Sequence, residues 1–232
     1  LVSEIFDPES LKGLRGNTAI GHVRYSTAGG SDPANIQPIT ARYRLGELAL
    51  AHNGNLTNQR ALRTSLVEDG AIFSSSSDSE TLVHLMAKSR AKTVDDQVMD
   101  ALSHLVGAFS MALVVRGKLY AARDPRGFRP LILGRKGNGH VVVSETCALD
   151  ILGATYLRDL EPGEVVRIES NEVHEIGRLD PAPQPAPCIF ELVYFARPDS
   201  SLWGESVDRA RRAFGRQLAK ENPISADAVI AV

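Results

Sequence analysis

The chain has 232 residues, 43% of them hydrophobic and 23% charged, in proportions ordinary for a globular protein. Its formal net charge of −2 gives no electrostatic drive toward nucleic acid or an anionic membrane surface, and no run approaches the roughly 18 consecutive apolar residues that span a bilayer. Two cysteines, Cys147 and Cys188, are too few and too far apart for a disulfide framework, so a reducing, cytoplasmic setting is expected.

In chain order, the opening LVSEIFDPES has neither the basic nor the apolar region of a secretory signal. Strands are predicted at 17–25 and 43–51, where Val, Ile and Leu concentrate between Gly, Asn and Pro. Helical periodicity follows at 58–70, 79–89 and 93–106. Leu82, Leu85 and Met86 share one face of the second helix, and Val98, Leu102 and Leu105 one face of the third. Strands resume at 108–116, 118–123, 129–134, 140–144 and 163–170. Links as short as Arg116–Gly117 predict antiparallel hairpins rather than crossovers. Strands, a helical block and more strands make an α+β layered domain with antiparallel sheets. RLDPAPQPAP (178–187) is predicted to be an extended linker, CIFELVYFARPDS a buried strand and turn, and ESVDRARRAFGRQLAKE (205–221) a basic helix. The last run, ADAVIAV, resembles a strand with no turn after it, and residue 1 is not Met. The expectation is therefore an internal segment of a longer protein, with a domain boundary near 180–200.

Several polar clusters carry two readings each. In GHVRYSTAGGS (21–31), Arg24 is either a surface residue beside a small-residue loop or a carboxylate clamp working through two parallel hydrogen bonds. Neither GxxxxGK[ST] nor GxGxxG is present. In ALAHNGNLTN, His52, Asn53, Gly54 and Asn55 suit a tight turn. In SSSSDSET, Ser77 and Glu80 have capping-box spacing, and Asp78 suits the helix dipole; the alternative is an acid aimed at a ligand ammonium group. Asp124 and Gly127 in ARDPRGFRPL read as turn residues. In SETCALD, Ser144 is the expected helix cap and Cys147 a buried, inert thiol. His52 could be a base, but no nucleophile elbow accompanies it, and no HxxxH or CxxC pair suggests a closed zinc site. From the residues alone, an Arg, an Asp and an Asn-Gly segment could together hold a zwitterion.

Taken in order, GHVRYSTAGGS, AHNGNLTN, SSSDSE, ARDPRGFRPL, SETCALD and CIFELVYFARPDS closely resemble the amidophosphoribosyltransferase family, glutamine-dependent enzymes of the first committed step of purine synthesis. Other class II glutamine amidotransferases share the HNG segment, while SETCALD and YFARPDS favour the phosphoribosyl enzymes. The resemblance implies an N-terminal-nucleophile hydrolase fold, an αββα sandwich of four layers with antiparallel sheets, followed by the start of a type I phosphoribosyltransferase α/β domain. On that layout, 1–180 is a glutaminase domain lacking its first strand, 181–200 a linker, and 201–232 the beginning of the transferase domain. Asn53 and Gly54 would form an oxyanion hole; Arg24 would hold the glutamine α-carboxylate and Asp78 its ammonium group, with Tyr25, Thr27 and His52 lining the pocket. The nucleophile would be an N-terminal cysteine, which Leu1, Cys147 and Cys188 cannot supply, so this chain by itself is expected to be inactive. The resemblance further implies phosphoribosyl pyrophosphate as second substrate, Mg2+ at a transferase site beyond residue 232, and a homo-oligomer, dimer or tetramer. In some members it implies a [4Fe–4S] cluster, with Cys188 as one ligand. The alternatives are the glutaminase domain of another class II amidotransferase or a non-catalytic glutamine-binding module.

Overall fold

The computed structural model describes residues 6–23, 32–180, 184–228 and 230. After a short helix α1 (Pro8–Lys12), a six-stranded sheet is built in the order β1-β2-β3-β4-β8-β9. Its strands are β1 (Ile39–Tyr43), β2 (Gly46–Leu56), β3 (Gly107–Val115), β4 (Lys118–Arg123), β8 (Glu164–Glu169) and β9 (Glu172–Arg178). A three-stranded sheet, ordered β6-β5-β7, comprises β5 (Ile132–Lys136), β6 (Gly139–Val143) and β7 (Thr155–Asp159). Every pairing in both is antiparallel. The β3–β4 hairpin turns at Arg116 and Gly117, both at positive φ, the two-residue geometry that matches strand twist.

Strand alternation divides the large sheet into two faces. Leu50, Phe109, Met111, Leu113, Tyr120 and Val165 pack against helices α2 (Gln59–Glu68), α3 (Ser79–Lys88) and α4 (Val94–Ser103), which contribute Leu66, Leu82, Met86, Val98 and Leu102. The opposite face, carrying Ala121, Val166 and Ile168, packs on Leu131, Leu133 and Leu160 of the smaller sheet's side. Beyond that sheet, Ile132 meets Leu149 of α5 (Thr146–Leu152), together with Leu202 and with Val207 of α6 (Val207–Glu221). The order helices, sheet, sheet, helix is the expected four-layer arrangement.

Local departures have local causes. No strand forms over 17–23; the rest of that predicted strand lies outside the described residues. Leu1 to Ile5, the segment 26–31 expected to be a loop, Pro181 to Pro183 of the expected linker, and 229 and 231–232 of the last run lie outside them as well. The strand expected at 43–51 is two strands, because the chain turns at 44–45 and β2 then runs on to Leu56. The segment 191–195 is not a buried strand but a π-helical turn. Phe190 just before it and its Val193 and Tyr194 are exposed, and Arg129 is salt-bridged to Glu191 at 2.5 Å while covering the Phe195 ring. Residues 223–228 and 230 form no strand, having no neighbour to pair with among the described residues. Strands β10 (Ser201–Leu202) and β11 (Glu205–Ser206) form a small hairpin before α6.

Candidate active site

The HNG segment lies inside β2 rather than in a turn, with Asn53 opposite Ser110 and Gly54 opposite Phe109 on β3. Asn-Gly chemistry suggested a bend; the need for glycine comes instead from the neighbouring strand. Gly54 has φ +155°, and a Cβ there would stand 2.0 Å from the Ala108 carbonyl oxygen and 2.7 Å from His52 Nε2.

The hydrogen-bond pattern sets which way the Gly54 N–H points. Phe109 donates its N–H to Asp124 Oδ2 (3.2 Å) and accepts the Asp124 N–H (2.8 Å), so both its polar backbone groups face β4. The Gly54–Phe109 pair is therefore a non-hydrogen-bonded one, and the N–H groups of His52, Gly54 and Leu56 all face the other edge of β2. That edge is paired with β1 only as far as Leu50, opposite Ile39. Beyond it, Gln37 Oε1 accepts the His52 N–H at 2.6 Å, and Asp78 Oδ2 accepts the Leu56 N–H at 2.9 Å. The Gly54 N–H lies between these two satisfied groups and has no partner among the described residues. The Asn53 side chain projects from the face opposite His52, half-buried, and its amide likewise has no partner among the described residues.

Asp78 holds its edge position from the start of α3. A Ser77–Glu80 capping box does not form: Glu80 reaches back instead to the N–H and hydroxyl groups of both Ser74 and Ser75, at 2.6–2.8 Å. Burial opposes ionisation of Glu80, yet these four donors together hold its carboxyl below the ordinary glutamate range. The serine loop is thus pinned, and Asp78, 24% exposed at its side chain, makes no cap bond of its own and keeps its second oxygen 3.8 Å from His52 Nδ1.

His52 is 4% exposed, with Nδ1 3.0 Å from Ser79 Oγ and Nε2 3.4 Å from the Ala108 carbonyl. Burial pushes its pKa down, against the smaller opposing pull of Asp78 and Ala108, so the ring is neutral near pH 7. The ring is enclosed by these partners rather than open to solvent. The structure thus brings His52, Asn53, Gly54 and Asp78 to one stretch of strand edge; Arg24, Tyr25 and Thr27 lie outside the described residues. A concavity of about 870 Å³, lined by Arg42, Glu47, Ala49 and Arg116 among others, lies at the opposite end of β2. Its lining includes none of the oxyanion or ammonium candidates, and hydrogen-bonding groups, not volume, define the site.

The remaining candidates are structural or solitary. Asp124 is fully buried and accepts the N–H groups of Phe109, Arg126 and Phe128, the turn role expected of it. Gly127, at φ +63°, would place a Cβ 2.9 Å from Pro162. Ser144 does not cap α5; Glu145 takes that position and instead accepts from the Arg197 N–H and Ser200 hydroxyl. Cys147 is a buried thiol with its pKa raised by burial. Cys188 is unpaired and half-buried, and no group of three or more potential metal ligands occurs among the described residues. With two cysteines in all, this chain cannot supply the four thiolates of an iron–sulfur cluster. Gln37 and Asn35, which carry no sequence motif, also bond to this edge and to the serine loop. No helix among the described residues is long and apolar enough to cross a membrane.

The chain is 51% identical over 233 residues to amidophosphoribosyltransferase 2, chloroplastic, of Arabidopsis thaliana, covering 100% of itself and 41% of that protein. It is 44% identical over 233 residues to the amidophosphoribosyltransferase of Bacillus subtilis (strain 168), covering 49% of it. A solved structure of glutamine phosphoribosylpyrophosphate amidotransferase from B. subtilis, complexed with ADP and GMP, superposes with a TM-score of 0.86 at 40% identity, over 98% of this chain and 49% of that one. The chain thus spans under half the length of these relatives. Residues 22–150, which contain every oxyanion, carboxylate and ammonium candidate, match the family model described as a glutamine amidotransferase domain, and the chain belongs to that family.

Proposed function

We propose that this chain is the glutaminase part of an amidophosphoribosyltransferase, with residues 1–180 as the glutaminase domain, 181–200 as a linker and 201–232 as the start of a phosphoribosyltransferase domain. The observation that carries the catalytic reading is the Gly54 N–H, without a partner among the described residues, held between the satisfied N–H groups of His52 and Leu56 and next to an Asn53 amide likewise without a partner among them. Two donors that reach the same carbonyl oxygen would stabilise the charge developing on it.

In the reaction, a cysteine thiolate supplied from outside residues 1–232 attacks the side-chain amide carbon of glutamine. Negative charge gathers on the amide oxygen, toward Asn53 Nδ2 and the Gly54 N–H. The carbon–nitrogen bond then breaks, and ammonia leaves with a proton delivered by the cysteine's α-amino group. Water hydrolyses the resulting thioester to glutamate and restores the thiol. Arg24, with Tyr25 and Thr27, binds the substrate α-carboxylate, and Asp78 binds its ammonium group, which restricts the site to the free amino acid. The ammonia is used to convert phosphoribosyl pyrophosphate into 5-phosphoribosylamine, with Mg2+ bound in the transferase part. The active protein is a cytoplasmic homo-oligomer; a [4Fe–4S] cluster, where one exists, takes Cys188 and three ligands from outside this chain.

The test is glutamine addition to the full-length protein. Steady ammonia release supports an enzyme; saturable heat without turnover replaces this reading with that of a binding module.

A further inference from the structure

Among the described residues, the edge of β2 beyond Leu50 is closed by side chains rather than by a strand, and that replacement has a consequence for catalysis. Gln37 lies just before β1 and uses both ends of its carboxamide: Oε1 accepts the His52 N–H at 2.6 Å, and Nε2 donates to Ser79 Oγ at 3.5 Å. Ser79, fully buried, is also the partner of His52 Nδ1 and lies 3.3 Å from Asp78 Oδ1. Two residues before Gln37, Asn35 is 1% exposed in a short 3-10 turn whose entry is capped by Asp32. Asn35 Oδ1 accepts the Ser76 N–H at 3.1 Å, and its Nδ2 bonds Ser76 Oγ at 2.9 Å. The segment 32–38 is thereby fastened at one end to the serine loop and at the other to β2 and α3.

From this arrangement we propose that Gln37 is a positioning residue for the oxyanion donor, working through the backbone of β2 and, on the reading above, never touching glutamine itself. Its carboxamide fixes the His52 peptide on the Gln37 side of Gly54, while Asp78 fixes the Leu56 peptide on the other. With both neighbours held, the Gly54 N–H keeps one direction. Without Gln37, the His52 N–H loses its acceptor among the described residues and the donor is free to rotate away. Asn35 keeps Gln37 in place by holding its segment to Ser76.

The proposal rests on the glutaminase reading, and the experiment separates the two. Steady-state ammonia release and inhibition by L-glutamate γ-semialdehyde, whose adduct with a thiol carries an oxyanion-like oxygen, are measured on the full-length protein and on Gln37→Met, which keeps shape but loses both polar ends. The expected result is a parallel fall of about tenfold in kcat and kcat/KM with KM for glutamine within about twofold, and aldehyde affinity about tenfold weaker. A KM increase with unchanged kcat, or unaltered aldehyde affinity, overturns the positioning role. Should Gln37→Met fail to fold, Ser79→Ala decides: a selective loss in kcat upholds the proposal, and an unchanged kcat ends it. If the unmodified protein releases no ammonia, the glutaminase reading itself fails, a result distinct from either of these.

Discussion

Replacing Gly54 by Ala probes packing and chemistry in one substitution. The added Cβ would stand 2.0 Å from the Ala108 carbonyl oxygen and 2.7 Å from its carbon, whereas close carbon–oxygen contacts lie at about 3.3 Å. The two strands must therefore part by about 1 Å at a point where β2 and β3 are in continuous register, and His52 Nε2, also at 2.7 Å, blocks escape toward the helices. Overpacking and the positive φ together cost about 2–4 kcal/mol. For a domain of this size that lowers the melting temperature by about 5–15 °C. The same displacement moves the N–H off its direction, so kcat for ammonia release should drop by about 10²-fold or more, as for loss of an oxyanion donor. Scanning calorimetry and coupled ammonia detection on the full-length protein read both effects. A melting temperature within about 2 °C of the parent, with kcat preserved, would refute the argument that glycine is required here by strand contact.

On the proposed roles, Arg24→Ala should raise the glutamine KM far more than Asn53→Ala, which should chiefly lower kcat, since one group would bind the ground state and the other the developing oxyanion; equal effects on both parameters contradict these roles. Glu80→Gln leaves part of the Ser74 and Ser75 donor set without an acceptor and should cost about 2–4 kcal/mol in urea unfolding. Because the folded pKa of Glu80 lies below its ordinary 4.5, its contribution is present above pH 4.5 and lost as acid carries the pH through the folded value; the variant should lack that acid-dependent loss. His52 has the opposite charge type but the same acid sensitivity: its folded pKa is below 6.5, so the unfolded chain takes up the proton first and stability declines as pH falls below 6.5. Melting temperatures across that range should fall less steeply for His52→Gln, and a matching slope would show that the ring is not held neutral.

What could be read from the sequence followed burial. Strands β3 and β4 alternate or stay apolar because both faces are covered, and the predicted strand 118–123 matches β4 residue for residue. Edge strands β7 and β9 gave no such pattern, since most of their residues are only partly covered or exposed. The HNG segment showed its residue types but not its geometry. Its glycine answers to Ala108, far along the chain, and that contact has no local signature. Spacing pairs Glu80 with Ser77, whereas its carboxylate reaches Ser74 and Ser75. Gln37 and Asn35 were invisible for the same reason: their partners are 15 and 41 positions away, and a lone amide before a proline carries no motif.

The most direct trial of the site is a crystal structure of the full-length protein with L-glutamate, the product, bound. We expect one side-chain carboxylate oxygen within hydrogen-bonding distance of both Asn53 Nδ2 and the Gly54 N–H, and the ammonium group against Asp78. Glutamate bound with its side chain turned away from the Gly54 edge, or its ammonium group far from Asp78, would contradict the account.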